Sequence, residues 1–260
     1  MTRAWLLFLL PALPVVAAPG SSVRQLALGD NERLVYHVSW VFLPAVGEIS
    51  VSAHGVTDPQ GKHLLRIDSK TGTRGLARLL LPFEARAESL YDATTSRLIW
   101  LGESSEKRGK PNAHSVRFDY AAKVAEYSAT TPAGPVRRIP MPQGYPSDLI
   151  TCLLEARTWP MNTGDTHDAL VLFEDEFYLL TIHALGHETV TTPTGTYDTL
   201  VLEPRMEKTA PLGMFKRGST VRVWISQGAV RLPVRFQVDF KIGAGVATLV
   251  EYQPPTPGNP

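Results

Sequence analysis

Apolar and polar side chains alternate with a period of two in several short segments of this 260-residue chain. Successive side chains of a β-strand point to opposite faces, so each alternation predicts a strand with one dry and one wet face, as in antiparallel sheets. Weaker strand candidates, separated by Gly, Pro, Asn and Asp, recur at intervals typical of a barrel or sandwich. The clearest alternations lie in Arg33–Trp40, Ser115–Tyr120 and Pro233–Phe240.

One convincing helix interrupts the strands, in the segment Ser147–Thr158. Ser147 can cap its amino end, and Leu149, Ile150 and Leu153 contribute to an apolar stripe. We therefore predict an all-β, mainly antiparallel fold with a single large curved sheet, like a barrel or half-barrel, and one short-to-medium helix on its concave face. The pattern leaves open whether the barrel closes.

The leucine-rich stretch Arg74–Leu80 is a second, shorter helix candidate, or equally a loop. Its leucines lie on one side and its arginines on the other, and Pro82 ends it. A short helix docked on the core is one interpretation. The other places the stretch at the mouth of a groove, where it touches a membrane and inserts Leu79, Leu80 and Leu81.

The first 18 residues have the pattern of a cleavable signal peptide. Arg3 precedes an apolar run of about 13 residues, shorter than the roughly 20 that a membrane-spanning helix needs, and small residues follow at Ala17 and Ala18. We expect cleavage after Ala18, export to the periplasm and no transmembrane segment in the mature chain. Residues 23–252 are predicted to form one β domain, and the Pro-rich tail 253–260 is predicted to be disordered.

Composition excludes several function classes. Lys and Arg number 26 and Asp and Glu 25, so the net charge of +1 provides no field that would attract nucleic acid. The single cysteine, Cys152, rules out an internal disulfide and any Cys-rich metal framework. It lies in the apolar helix, where a buried thiol behaves as a small hydrophobic group rather than a nucleophile.

No nucleophile, zinc-protease or nucleotide-binding motif occurs, so we expect no catalytic residues, no metal and no cofactor. His183 and His187, beside Glu188, would be about 13 Å apart in a regular strand, too far apart to share an ion unless Gly186 bends the chain. Three carboxylates on one strand candidate are spaced so that they share a face: Glu84, Glu88 and Asp92. A solvated face explains them as well as a role in general acid–base catalysis does.

Aromatic residues on strand candidates are a better functional clue. In a closed barrel they would fill the interior, whereas in an open one they would line a groove able to hold an acyl chain. Arg235 could meet a polar head group. The candidate ligand-binding residues are therefore Trp40, Trp100, Phe118, Trp224, Arg235 and Phe236, although all five aromatic residues can equally be plain core.

Five segments in this order resemble a family of bacterial exported proteins, the domain of unknown function 3108. The first two contain Tyr36 and Trp40, and Glu88, Tyr91 and Asp92. The others are the helix SDLITCLLEAR, the turn region HETVTTPTGTYDTLVLEP and the hairpin VRVWISQGAVRLPVRF. The resemblance implies an envelope protein of Gram-negative bacteria with no assigned reaction. The Trp-containing hairpin is also similar to the curved sheets of periplasmic lipoprotein carriers, which favours an apolar ligand by analogy only.

The sequence thus predicts a periplasmic, non-catalytic binding or envelope-maintenance protein. Its expected partner is a lipid or other apolar small molecule, held in the curved sheet. One alternative is an interaction module that binds an envelope protein through an exposed edge strand and holds no ligand. Another is an unrecognised hydrolase, which would need two or three titratable groups in one cleft; the sequence names no such set.

Overall fold

A computed structural model describes residues 26–41, 43–211, 215, 219–241 and 243–257. Its strands form one antiparallel sheet, which confirms the predicted all-β fold. The strands are β1 (Arg33–Trp40), β2 (Leu43–Thr57), β3 (His63–Thr73), β4 (Phe83–Asp92), β5 (Leu98–Lys107), β6 (Lys110–Asp119), β7 (Val124–Thr131), β8 (Arg137–Pro140), β9 (Thr166–Phe173), β10 (Glu176–Thr192), β11 (Gly195–Arg205), β12 (Thr220–Ser226), β13 (Pro233–Phe240) and β14 (Gly243–Gln253). The helices are α1 (Gly75–Leu80), α2 (Leu149–Glu155) and a 3₁₀ turn, Ala156–Thr158.

Neighbouring strands in the sheet are neighbours in the sequence, except where β14 pairs with β1. The order is β8-β7-β6-β5-β4-β3-β2-β1-β14-β13-β12-β11-β10-β9. In the part of the chain that the structure describes, the end strands β8 and β9 do not pair with each other. The sheet therefore curves without closing, which decides the question that the sequence left open.

The alternation in β1 shows which face is concave. Leu34 and Tyr36 are almost fully buried and lie opposite Val51 and Ile49 of β2. Leu34 also belongs to the same core cluster as Val116 of β6, although four strands separate β1 from β6 in the sheet. Side chains from such distant strands meet only on the side toward which the sheet curls.

Helix α2 lies inside this concave face and separates two apolar clusters. Leu154 packs into the cluster built mainly by β1–β7, β13 and β14, whereas Cys152 packs into the one built mainly by β9–β12. The predicted helix on the concave face and the predicted burial of Cys152 are both confirmed, the thiol residue being 1% exposed. Because the helix fills the space between distant strands, the open sheet can bury its inner face.

Asp148 caps α2, so the prediction that Ser147 is the cap was wrong. The Thr151 N–H donates to Asp148 Oδ1 over 2.9 Å. Ser147 instead forms a parallel bridge with β9, donating its N–H to Leu170 O (3.1 Å) and accepting from the Leu172 N–H (2.9 Å). A backbone held in this bridge leaves the capping position to the next residue.

The carboxyl end of the helical segment is fixed by a buried ion pair. Arg157 Nη1 lies 2.6 Å from Glu32 Oε1, and the Glu32 side chain is only 1% exposed. Such a pair contributes little net stability, but removing one partner leaves an uncompensated buried charge. The pair therefore ties the helical segment to the chain just before β1.

Helix α1 forms where the sequence predicted it, but it does not dock on the core. None of its residues is buried, and Leu76, Leu79 and Leu80 are 79, 79 and 82% exposed. The core-docked interpretation was wrong because the β3–β4 connection extends past the end of the sheet, beyond the reach of either apolar cluster.

The predicted signal peptide, residues 1–18, lies outside the described residues, as do residues 258–260. Near the carboxyl end of the described residues, Thr256 donates its N–H to Asp30 O over 2.9 Å. In the described residues, no helix has the length and apolar character that crossing a membrane requires.

Asp92 fixes the turn between β4 and β5. Its carboxylate accepts from the backbone N–H groups of Thr94 and Thr95 at 2.8 and 3.1 Å, and Lys62 Nζ lies 2.9 Å away. Burial acts to raise the pKa of Asp92, but the bonds from Lys62, Thr95 and Thr94 outweigh it and lower the pKa to about 2. The ionised carboxylate therefore stabilises the folded chain.

We expect Asp92→Asn to lower the free energy of unfolding by about 2 kcal/mol at pH 7, from a pKa shift of nearly two units. Because the folded pKa is depressed, the stabilisation is complete above the unfolded value of 3.8 and is lost as pH falls to about 2. Urea unfolding at pH 7, 4 and 2.5 measures this. Asp198→Asn, at a carboxylate with a 70% exposed side chain, is the control and should change little. A difference at pH 2.5 as large as the difference at pH 7 would contradict the assignment.

Candidate functional site

A cavity of about 220 Å³ remains in the concave face beside α2. Strands β3 to β6 form its floor, Ile150 of α2 forms one wall, and Phe173 and Glu174 from the β9–β10 hairpin form another. We name it the inner cavity. The strand residues of the concave face that line it are Ser69, Thr71, Ala85, Ala87, Glu103, Ser105, Asn112 and His114.

The inner cavity exists because the chemistry of the concave face changes along each strand. On β5, the inward position is apolar at Leu101 and becomes polar at Glu103, two residues later. On β6, the corresponding change runs from Val116 to His114. The alternation of side chains between the two faces is unbroken along both strands. The concave face therefore has an apolar part, which packs against α2, and a polar part, over which the cavity remains.

Glu103 and His114 form a pair in the floor of the cavity. His114 Nε2 lies 3.3 Å from Glu103 Oε2, and the ring stacks on Tyr127 with centroids 5.1 Å apart. His114 is 7% exposed, whereas the Glu103 side chain is one-third exposed. The carboxylate is therefore the more accessible member of the pair.

Asp148 lies close to this pair, at the amino end of α2. Its Oδ2 accepts from the hydroxyls of Ser89 (2.8 Å) and Thr151 (2.6 Å). Burial raises the pKa of Asp148, the bonds from Thr151 and Ser89 oppose the rise, and the charge of nearby Glu103 adds to it. Asp148 thus joins strand β4 to the helix.

Glu103, His114 and Asp148 form a titratable set that the sequence did not reveal. A polar residue at an inward position looks like an ordinary solvent-facing residue until the register between strands is known. The set lacks the contact that activates a nucleophile: in the described chain, no hydroxyl or thiol hydrogen-bonds to the His114 ring. Nothing in this geometry points to catalysis.

A second cavity, of about 540 Å³, lies between α2, β9 and residues 143–147. The rings of Trp159 and His167 stack at its wall with centroids 4.0 Å apart, and Cys152 and Glu155 contribute from the helix. Burial lowers the pKa of His167, and the charge of Asp168 opposes this. The cavity borders the edge of β9, part of which Ser147 already pairs.

The six candidate ligand-binding residues lie on two faces of the sheet. Phe118 and Phe236 are on the concave face within the core, and Trp40 lies on the same face at one end, against Phe240. The three on the convex face are Trp100, Trp224 and Arg235.

The convex-face aromatic residues have local partners. Trp224 donates its Nε1–H to Glu188 Oε2 over 2.8 Å, and the Arg235 guanidinium lies 5.6 Å from its ring centre. Trp100 covers Gly102, where a Cβ would lie 2.3 Å from the ring. Although its register position is opposite Arg235, Trp224 is 4% exposed and belongs to the same core cluster as Phe118. A binding role for any of the six stays a prediction.

The histidine pair is separated by a bulge in β10. The register shifts between Ala184 and Gly186, so that His183 lies opposite Glu203 and His187 opposite Leu200, on different faces. His183 Nε2 instead lies 3.0 Å from a Glu207 carboxylate oxygen. The described residues contain no group of three His, Cys, Asp or Glu side chains that could hold a metal ion.

The carboxylates of β4 have separate basic partners. Glu84 pairs with Arg78 at 2.6 Å and Glu88 with Arg66 at 3.6 Å, both on the convex face. The exposure of Glu84 and Glu88 fits the interpretation as a solvated face, whereas Asp92 is buried and fixes the β4–β5 turn.

Among solved structures, the chain is similar to the β-barrel-like protein of domain of unknown function DUF1849 from Brucella abortus. The TM-score is 0.54 at 6% identity, with 89% of this chain and 100% of that chain covered. At this identity the likeness shows the fold alone.

Two further structures have TM-scores of 0.30. One is an inferred lipoprotein from Parabacteroides distasonis, with 10% identity and coverage of 88% of this chain and 98% of that one. The other is an inferred exported protein with a YmcC-like fold from Bacteroides fragilis, with 11% identity and coverage of 87 and 97%.

No curated protein matches the sequence. A family model does match, over residues 35–250, which include every strand from β2 to β13 and all three helical segments. The match confirms the resemblance found in the sequence motifs. The chain belongs to the DUF3108 family of proteins of unknown function.

Proposed function

We propose that this protein is a non-catalytic binding protein of the bacterial envelope, which holds a small amphiphilic molecule in the inner cavity. The observation that carries the proposal is the mixed lining of that cavity. Ile150, Phe173 and Ala85 offer apolar contacts, while Glu103 and Asn112 offer polar ones. Ligand sites typically combine an apolar lining with a few well-placed polar groups.

The volume limits the size of the ligand. Pockets for drug-sized molecules measure about 300–1,000 Å³, and the inner cavity has about 220 Å³. A medium alkyl chain with a compact polar end, or the end of a longer lipid, is therefore the appropriate size.

The charges around the cavity select the polar end. Glu103 and Glu174 both line it, and the concave-face strand residues that line it include no Lys or Arg. Arg86 borders the cavity from a convex-face position of β4. These two carboxylates favour a ligand with a hydrogen-bond donor, such as an ammonium or hydroxyl group, and disfavour a ligand that is itself a carboxylate, because like charges repel.

The predicted signal peptide supports a periplasmic location for this binding function. An exported protein would meet amphiphiles released from either membrane of the envelope. Partner binding through a free sheet edge is less well supported, because β8 has only four residues and ends at Pro140, and Ser147 pairs part of the β9 edge.

Calorimetric titration with octylamine and octanoate, which share one chain length, tests the proposal directly. We expect octylamine to bind at least about tenfold more tightly than octanoate, the equivalent of about 1.4 kcal/mol. Ala85→Leu, which fills the cavity from the concave face, should abolish binding. Ala113→Leu, on the convex face, is the matched control and should leave it unchanged.

Equal binding of the two probes, or equal binding by the two variants, would overturn the proposal. Glu103→Gln separates the charge from the shape of the site. It should reduce the preference for octylamine while leaving the unfolding midpoint near that of the unmodified protein, since the Glu103 side chain is one-third exposed. Solvent extraction and mass spectrometry of protein purified from a periplasm would then identify the natural ligand.

A further inference from the structure

Seven large apolar side chains are exposed at one end of the sheet. They belong to the β1–β2 turn region, to α1 and the residue after it, and to the end of β13. We name this set the leucine rim; its members are Val41, Leu43, Leu76, Leu79, Leu80, Leu81 and Phe240, with exposures of 38–82%. Contiguous exposed apolar surface of this kind marks a site of interaction.

Backbone contacts hold the segments of the rim side by side. Arg74 donates its N–H to Val46 O over 2.8 Å, which places the start of α1 beside β2. Val41 donates its N–H to Ala244 O over 3.1 Å, joining the β1–β2 turn to the start of β14. The rim is therefore one surface at one end of the sheet.

The orientation of α1 is the reverse of that of an ordinary surface helix. A surface helix turns its apolar stripe inward and its charges outward. Here the charged side chains are held by the sheet, because Arg74 pairs with Glu48 of β2 and Arg78 pairs with Glu84 of β4. The leucines of α1 are exposed and belong to neither core cluster.

A six-residue helix is not stable alone in water, and exposing leucine opposes folding. The two ion pairs and the backbone contact nevertheless hold α1 in this orientation. Polar contacts thus hold α1 with its leucines exposed, and exposed leucines fit a partner that is itself apolar.

Basic side chains border the leucines. Arg108 donates its N–H to Pro82 O over 3.2 Å, so the β5–β6 turn lies against the end of the α1 loop. Lys107, Arg108 and Lys110 are exposed in this turn, and within the described residues none has an acidic side chain within ion-pair distance. Lys241 follows Phe240 at the other side of the rim.

The acidic groups nearby do not cancel this charge. Glu48 and Glu84 are paired with the arginines of the α1 region, and Asp239, beside Phe240, lies 3.6 Å from Arg222. Glu106 is the acidic residue next to the β5–β6 turn. The surface around the leucines therefore keeps a positive excess.

We propose that the leucine rim docks on a lipid bilayer that contains anionic lipids. The leucines enter the boundary between head groups and acyl chains, while the lysines and Arg108 meet the lipid phosphates, as in interfacial amphipathic segments. The partner is a lipid surface rather than a folded protein because a protruding leucine tip ringed by cations matches the apolar interior and anionic surface of a membrane together. The proposal rests on the rim alone and does not require a ligand in the inner cavity.

Co-sedimentation with vesicles tests the proposal. We expect binding to vesicles of phosphatidylglycerol and phosphatidylethanolamine, and at least about tenfold weaker binding to phosphatidylcholine vesicles. Leu79→Ser with Leu80→Ser should reduce the affinity for the anionic vesicles by about tenfold or more, given the apolar area removed. Val230→Ser, in the β12–β13 turn at the opposite end and 50% exposed, is the matched control and should bind normally.

Arg108→Gln with Lys110→Gln should remove the preference for anionic lipid and flatten the salt dependence, whereas Lys123→Gln at the opposite end should not. Because the substituted leucines are about four-fifths exposed, circular dichroism melting curves should not change. The proposal would be overturned if the protein did not bind the anionic vesicles, or if the double leucine variant bound them normally. Titration with octylamine measures binding in the inner cavity independently of vesicle binding, so the failure of one proposal does not affect the other.

Discussion

The structure depends on the docking of helix α2 into the concave face of an unclosed sheet. A carboxylate at one end of the helical segment, Asp148, accepts hydrogen bonds from both the helix and strand β4. A guanidinium at the other end, Arg157, pairs with buried Glu32. A sheet of this size without a closing strand pair would leave its inner face wet. The helix covers that face, and polar contacts rather than apolar packing alone determine its position, because apolar contacts are not directional.

The same docking creates the inner cavity. Helix α2 packs on the apolar part of the concave face, through Leu154 and the residues around it, and stops short of the polar part that carries Glu103 and His114. A buried polar group without a partner costs free energy, so this part of the face stays open toward one end of the sheet instead of collapsing. Cavity and core are therefore two results of one change in side-chain chemistry along β5 and β6.

Alternation predicted the strands and the fold class, because period two is a local property of the chain. It could not predict which face of one strand joins which face of the next, since that depends on register. Trp224 shows the difference: its register position is opposite Arg235, and it bonds Glu188, yet it is as buried as its neighbours Val223 and Ile225. His183 and His187 show it again: Gly186 was a possible bend in the sequence, but only the register shows that a bulge there places the two histidines on opposite faces. The position of α1 was equally hidden, since an apolar stripe does not specify what covers it.

The inner cavity and the leucine rim are related by topology. The β9–β10 turn, which contributes Glu174 to the cavity, lies at the same end of the antiparallel sheet as the β3–β4 connection that contains α1. A bilayer docked at the rim would therefore lie at the same end of the sheet as the cavity, and an amphiphile that leaves it would reach Glu103 by a short path through water. Transfer of an alkyl chain through water costs about 0.8 kcal/mol for each CH₂ group. Shortening the aqueous path would thus be the physical advantage of having the proposed binding cavity and the proposed membrane-docking surface at one end of the sheet.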